Sequence, residues 1–196
     1  MEFETTLKDI QQQIKHDLIK QGIPTWNTNY DTAQSTIEKT ASDVLFTIIS
    51  VNYQIISAFK NVPGPEQLDL DYKRVIALTA YYHMITNNQI NNLNDEKSLL
   101  NFCLNLTDHI VQLLIEKNHD YGSSYFKVAK ELGTNFSFAV RFLDKGNRLD
   151  QFQKLMKNGE GFKVKDESVT DTLKDLLGYY LLYLVAVKSI KDKESR

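Results

Sequence analysis

The chain is poor in residues that cross-link a protein or break a helix. Its only cysteine, Cys103, leaves no partner for an internal disulfide and excludes a cysteine-based zinc site. Its three prolines all lie at or before position 65, and it has only eight glycines. The longest nearly unbroken apolar run, Leu176–Val187, is shorter than the roughly 20 residues of a membrane-spanning helix. These shortages predict an all-α protein of a reducing compartment, with no membrane span.

An excess of either charge is also missing. The 23 basic and 25 acidic residues leave a net charge of −2, too weak a field to hold a polyanion without a dedicated patch. Nucleic acid is therefore not expected as a partner. The segment Met1–Glu4 does not show the basic-then-apolar layout of a signal peptide, which favours a cytoplasmic location.

What the chain does contain is helical periodicity. Apolar residues recur every three or four positions from Phe3 to Leu18, as in an amphipathic helix, until Gly22-Ile23-Pro24 ends the pattern. With 42% hydrophobic residues, a chain of 196 residues can bury a sizeable core. The same reasoning along the chain predicts a bundle of about seven helices and no strand. The other helices are expected at about 32–60, 71–87, 95–117, 123–133, 134–157 and 167–189.

A polar, asparagine-rich stretch over residues 87–94 predicts a soft boundary. It separates an N-terminal helical region of unknown role, 1–94, from a C-terminal helical domain, 95–196, with the two expected to pack as one unit. Within the second region, Thr134 or Asn135 is expected to cap a helix. Ser168 and Asp171 have the spacing of a capping box.

Three carboxylates form an acidic stripe on the last predicted helix. Glu167, Asp171 and Asp175 are spaced i, i+4, i+8 and so share one face. Like charges at this spacing repel, and a bound cation commonly offsets the repulsion. The alternative is a solvated acidic face near a helix N-terminus, which needs no ligand.

The preceding helix carries the complementary charges. Arg141, Asp144, Lys145 and Arg148 follow the i, i+3, i+4, i+7 spacing and flank the core-facing side. Arginine's fork of donors suits phosphate or carboxylate. The alternative is a network of salt bridges between helices, joining Arg141 or Arg148 to Asp171 or Asp175 without any ligand.

A third polar segment contains Lys117, Asp120 and Tyr121 and ends at Gly122. By itself this segment is typical of a helix terminator. The four histidines lack the i, i+4 spacing of metal ligands, and the sequence has neither a Walker loop nor a nucleophile elbow. Nucleophilic catalysis by serine or cysteine therefore has no support.

Taken together, the three segments resemble the family called nucleotide modification associated domain 1, which is found in bacteria and their phages. The resemblance covers about residues 105–188. The helical layout of that family is also similar to the all-α nucleoside triphosphate pyrophosphatases, the MazG-like enzymes and the dimeric dUTPases, in which carboxylates on two adjacent helices hold Mg²⁺ against a triphosphate. Those enzymes carry Glu-x-x-Glu on the first of these helices, where this chain offers only Asp144.

The resemblance implies roles for these residues. Asp144, Glu167, Asp171 and Asp175 would bind Mg²⁺ or Mn²⁺, and Asp171 or Glu167 would orient or deprotonate the attacking water. It also implies a substrate-binding set: Lys117, Arg141, Lys145 and Arg148 would face phosphates, and Asp120 and Tyr121 would contact the rest of the substrate, with Tyr121 stacking on the base.

The expected function is that of a Mg²⁺-dependent pyrophosphohydrolase or phosphohydrolase acting on a nucleotide, in particular a deoxynucleotide or a modified one. One alternative is a nucleotide-binding module without turnover, such as a sensor, a sponge or a partner-binding protein. Another is a structural helical protein whose charged stripes pair with each other. A homodimer is expected by analogy with the related enzymes and from the apolar surface of the N-terminal helices.

Overall fold

The computed structural model describes residues 2–23, 34–59, 65–87, 89, 95–161 and 168–194. In these ranges the chain forms seven helices and no strand, which confirms the predicted all-α bundle. The helices are α1 (Glu2–Gln21), α2 (Gln34–Phe59), α3 (Pro65–Thr86), α4 (Glu96–Tyr121), α5 (Ser124–Leu132), α6 (Thr134–Lys157) and α7 (Val169–Glu194).

Three helices are longer than predicted, and one of them, α7, continues to Glu194 and does not end near residue 189. α3 begins at Pro65 and not near Asp71, because proline is favoured in the first turn of a helix, where its missing N–H costs nothing. α4 continues through Tyr121, so the expected break at Asn118 is wrong. Gly122 ends the helix instead: it has a φ of 57°, and its N–H donates to the carbonyl of Asn118 at 2.9 Å.

The ends of α6 and α7 show one wrong cap and one confirmed cap. Gly133, with a φ of 84°, precedes α6, and Thr134 lies in the first turn without acting as a side-chain cap. Ser168 precedes α7 as predicted: its Oγ accepts from the Asp171 N–H at 3.0 Å and donates to Asp171 Oδ2 at 2.7 Å.

A single hydrophobic core runs through the bundle, with α7 at its centre. Leu173, Leu177, Tyr180 and Leu181 on this helix are completely buried. α1 packs on α4 and α7, α2 packs on α6, and α3 packs on α4 and α7. The N-terminal helices therefore bury apolar surface against the C-terminal helices of the same chain. The apolar surface of the N-terminal helices was one of the two reasons for expecting a homodimer.

The contact between α2 and α6 is very close. Gly146 faces Asn52, and a Cβ atom at position 146 would lie 2.5 Å from Asn52 Nδ2. Asn52 is completely buried, donates to the carbonyl of Phe142 at 2.9 Å and accepts from the Tyr180 hydroxyl at 3.0 Å. One amide thus links three helices, α2, α6 and α7.

Two helical stretches, Thr40–Phe59 and Glu96–Tyr121, are long and apolar enough to cross a membrane by length and composition alone. Neither stretch is an unbroken apolar run in the sequence, because polar residues such as Asn52 and Asp108 interrupt them. Both also belong to the bundle, where they contribute buried residues such as Ile48 and Ile110 to the core. The apolar faces of bundle helices pass the same test of length and composition.

Candidate functional site

Charged and aromatic side chains meet where α4, α5, α6 and α7 come together, and we name this region the charged cleft. Its ionic residues lie on α4, α6 and α7, and its two tyrosines lie on α5 and α7. The members are Lys117, Tyr125, Arg141, Asp144, Lys145, Arg148, Lys174, Asp175 and Tyr179.

A buried lysine is the centre of the charged cleft. The Lys145 ammonium lies 3.1 Å from Asp175 Oδ2 and 3.8 Å from Asp144 Oδ2, and the Lys145 side chain is only 10% exposed. The other oxygen of Asp175 is 3.4 Å from the Lys117 ammonium. A buried ammonium is costly without a partner, so Asp175 fixes the position of Lys145.

The pairing extends along α6. Arg148 Nε lies 3.8 Å from Asp144 Oδ2, one helical turn away. The sequence offered a network between helices, from Arg141 or Arg148 to Asp171 or Asp175, as one alternative. Among the described ion pairs, Lys145 of α6 and Lys117 of α4 are the residues that join Asp175 of α7.

Positive charge predominates in the cleft. Its described members include five basic side chains, namely Lys117, Arg141, Lys145, Arg148 and Lys174, and two carboxylates, Asp144 and Asp175. Even with Asp171 one turn further along α7, basic groups outnumber acidic ones. The pairs within the cleft therefore neutralise only part of its charge, and an anion would be attracted to the remainder.

Aromatic side chains lie beside the cations. The Arg141 guanidinium lies 5.9 Å from the centre of the Tyr179 ring, within the range of a cation–π interaction. Burial raises the pKa of the Tyr125 phenol, and the nearby Tyr179, Tyr121 and Asp175 raise it further while Arg141 opposes them. Tyr125 therefore stays neutral at physiological pH, and the rings of Tyr125 and Tyr179 both lie near the Arg141 guanidinium.

The other predicted site residues lie at differing distances from the cleft. Asp171 is exposed, and its carboxylate accepts from Ser168 in the cap of α7. Asp120 is exposed, and its Oδ1 lies 3.1 Å from Nδ1 of the adjacent His119. Tyr121 is exposed near Tyr125 at the end of α4. Glu167 lies outside the described residues.

The carboxylates that the structure describes do not fit a divalent cation. The described residues contain no group of three or more His, Cys, Asp or Glu side chains that could hold a metal ion. The Lys145 ammonium lies within 4 Å of both Asp144 and Asp175, so a positive group already occupies the space between them. The four-ligand site for Mg²⁺ or Mn²⁺ also requires Glu167, and it stays a prediction.

The cleft is shallow. One crevice of about 30 Å³ lies between Lys117, Tyr125 and Asp175, and another of about 20 Å³ lies between Tyr125, Arg141 and Tyr179. Each is the size of one water molecule, whereas enclosed sites for small molecules measure roughly 300–1,000 Å³. A ligand in this conformation would therefore lie over the cleft, with its charged end near the basic groups.

Sequence reasoning missed three members of the cleft: Tyr125, Lys174 and Tyr179. Tyr179 follows Asp175 by four residues on α7, so helical spacing could have included it. Tyr125 lies beyond the break at Gly122, so helical spacing from Tyr121 does not apply to it. Lys174 precedes Asp175 directly and lines the same crevice. Its role depends on how α7 packs against α4, which no single segment of sequence specifies.

Comparison of the chain with protein-family models, with curated proteins and with solved structures finds no match.

Proposed function

We propose that the protein is a nucleotide-binding module whose charged cleft holds the phosphate groups. The observation that carries this proposal is the excess of basic over acidic side chains around a fixed centre, the Lys145–Asp175 pair at 3.1 Å. Asp175 holds Lys145 and Lys117 in place, while Arg141, Arg148 and Lys174 surround them. Phosphate oxygens accept hydrogen bonds both from the planar guanidinium of arginine and from the compact ammonium of lysine.

The aromatic residues support a nucleotide over a simple phosphate. Tyr121 is exposed, and Tyr125 and Tyr179 are partly exposed near Arg141. A base stacked on an aromatic ring contributes roughly 1–3 kcal/mol without regard to its identity. A nucleotide can use both features, because its base stacks on an aromatic ring while its phosphates pair with the cations. An open cleft can bind a nucleotide in this way without an enclosed cavity.

The pyrophosphohydrolase expected from the resemblance stays a prediction. It requires Mg²⁺ or Mn²⁺ bound by Asp144, Glu167, Asp171 and Asp175, and the described members of this set are paired with Lys145 or with Ser168. Nucleotide binding needs only groups that the structure describes. The geometry of the cleft therefore supports binding better than it supports hydrolysis.

The experiment is a calorimetric titration of the protein with a panel of ribo- and deoxynucleoside mono-, di- and triphosphates, and with pyrophosphate, each with and without Mg²⁺. Arg141→Gln removes the cleft's guanidinium next to Tyr179, and Arg74→Gln removes an exposed arginine of α3 as a matched control. We expect saturable binding of at least one nucleotide, weakened at least tenfold in Arg141→Gln and unchanged in Arg74→Gln. Binding that is absent, or equal in both variants, would contradict the proposal.

The same samples test turnover. After incubation with Mg²⁺ or Mn²⁺, chromatography would separate any monophosphate and pyrophosphate from the nucleotide. Products that disappear in Asp171→Asn would replace the binding module by the hydrolase, because that variant removes the charge but keeps the shape of Asp171 and an oxygen that can accept from the Ser168 hydroxyl. Unchanged nucleotide recovered with the protein is the result expected for a binding module.

A further inference from the structure

A cavity of the described residues lies away from the charged cleft, in a groove between α1, α5 and α7. Its volume is about 500 Å³, which falls within the range of sites that enclose a small molecule. We name it the α1–α5–α7 groove. The groove contains no residue of the charged cleft, so a ligand bound there would be a separate one.

Most of the groove is apolar and fixed in place. Phe3 of α1 packs edge-to-face on Phe126 of α5, with ring centres 5.7 Å apart. Val185 and Ala186 of α7 form the floor and belong to the buried core, and Ile190 is exposed at one end. An apolar body can therefore enter without moving the walls.

The rim of the groove is positively charged. Lys127 and Lys130 line it and are spaced i, i+3, so they lie on the same side of α5. Both are exposed, and neither ammonium forms an ion pair with any carboxylate in the described part of the chain. Ser123 and Ser189 add hydroxyl groups to the lining. The rim thus offers two free cations and hydrogen-bonding groups above an apolar floor.

We infer that the α1–α5–α7 groove binds a small amphiphilic carboxylate, whose apolar body fills the groove and whose carboxylate pairs with Lys127 and Lys130. The volume suits a single molecule of this size, and the charge of the rim selects an anionic head group. This inference does not depend on the nucleotide-binding proposal, because the two sites share no residue.

Decanoate is the probe, titrated into the full chain by calorimetry below its micellar concentration, with decyltrimethylammonium as the amphiphile of opposite charge. We expect one saturable decanoate site, with the cationic amphiphile binding at least tenfold more weakly. Lys127→Gln combined with Lys130→Gln should weaken decanoate binding at least fivefold. The matched control, Lys20→Gln with Lys97→Gln, changes two exposed lysines outside the groove and should leave the affinity unchanged.

A second variant tests the cavity itself. Ser189 lines the groove and is only partly buried, so Ser189→Trp should fill the cavity while the core stays intact. A melting curve like that of the parent chain, with decanoate binding lost, would support the inference. Absent decanoate binding, equal binding of the cationic amphiphile, or full binding by a folded Ser189→Trp would overturn it. Self-association abolished by Ser189→Trp, without decanoate binding, would assign the groove to a second copy of the chain.

Discussion

Two buried lysines, each held by an aspartate, occupy very different surroundings in this bundle. Lys73 on α3 lies 3.0 Å from Asp17 on α1, and the two side chains are 8% and 10% exposed. Lys145 on α6 lies 3.1 Å from Asp175 on α7, and the corresponding values are 10% and 36%. The first pair is closed to solvent on both sides. The second opens at the aspartate, where further basic residues surround it.

The exposure of the aspartate decides whether a ligand can reach each pair. A closed pair holds two helices together and offers nothing to a ligand. In the open pair, the exposed carboxylate positions a lysine among other cations that solvent and small anions can reach. Burial of the lysine is thus a poor guide to function, while exposure of its partner is a better one. Four experiments test how far the closed and the open contacts of this bundle differ.

The largest effect is expected from Asp17→Asn. The substitution removes the negative charge that lies 3.0 Å from the buried Lys73 ammonium, and breaking a buried pair typically costs about 3–5 kcal/mol. Urea denaturation should show a loss of about 3 kcal/mol in the free energy of unfolding. A loss below about 1 kcal/mol would show that the α1–α3 pair is as open as the one in the cleft.

The second effect concerns another closed contact, between α2 and α6. In Gly146→Ala the new methyl would lie 2.5 Å from the amide of Asn52, which is buried and bonded to two other helices. Overpacking of this kind typically costs about 1–3 kcal/mol, and we expect about 2 kcal/mol by thermal or urea denaturation. Gly178→Ala is the matched control.

Gly178 lies on α7 next to the charged cleft, and its Cβ would meet only Leu114 Cδ2 at 3.5 Å. Because alanine is favoured over glycine within a helix by about 1 kcal/mol, Gly178→Ala should leave stability unchanged or increase it. Equal losses in the two variants would mean that the wall of the cleft is packed as tightly as the α2–α6 contact.

The third effect, in Asp175→Asn, should be smaller and of a different kind. The cleft is partly open and Asp144 remains near Lys145, so we expect a loss of only about 1 kcal/mol in the free energy of unfolding. Removing a negative charge from a cationic cleft should also strengthen nucleotide or pyrophosphate binding severalfold. Weaker binding would show that the ordered position of Lys145 matters more than the net charge.

The smallest effect is the pH dependence of stability. Burial lowers the pKa of His83 on α3, and the charge of Lys174 in the cleft lowers it further. The unfolded chain therefore binds more protons, and stability that is present above about pH 6.5 should decrease as the pH falls through the lower folded pKa. His83→Gln should remove this step from stability measured between pH 7.5 and 5, and the exposed His109→Gln should retain it.

The closed pair titrates in a different pH range. Burial opposes ionisation of Asp17, but hydrogen bonds from Gln13 and Lys73 and the charge of Lys73 hold its pKa below the ordinary value. Its contribution is present above about pH 4 and is lost as the pH falls through the folded pKa. A single acid transition in the parent chain, unaffected by His83→Gln and by Asp17→Asn, would contradict both assignments.

The helices could be predicted from the sequence because their signals are local. Periodic apolar residues indicated all seven, and the capping pair Ser168 and Asp171 indicated the start of α7. The error at the end of α4 had a local cause as well. The polar residues Asn118 to Asp120 look like a break, whereas Gly122 is the residue that adopts the left-handed conformation and ends the helix.

The partners across helices could not be predicted in the same way. The spacing on α6 correctly grouped Arg141, Asp144, Lys145 and Arg148, but which of them reaches Asp175 depends on the relative positions of α6 and α7 along their axes. Those positions are determined by the packing of whole helices against each other. Asn52 contributes because it packs against Gly146 of α6 and bonds to Tyr180 of α7. Sequence spacing specifies a face of one helix and says nothing about the offset of its neighbour.

The amide of Asn52 has a consequence for how the chain can be divided. It supplies a hydrogen bond to α6 and accepts one from α7, although it belongs to the N-terminal region. A fragment made of residues 95–196 would lose this bridge and would expose the apolar faces that α1, α2 and α3 cover. The boundary predicted near residue 94 is therefore a poor point of truncation, because the helices on either side of it share one core.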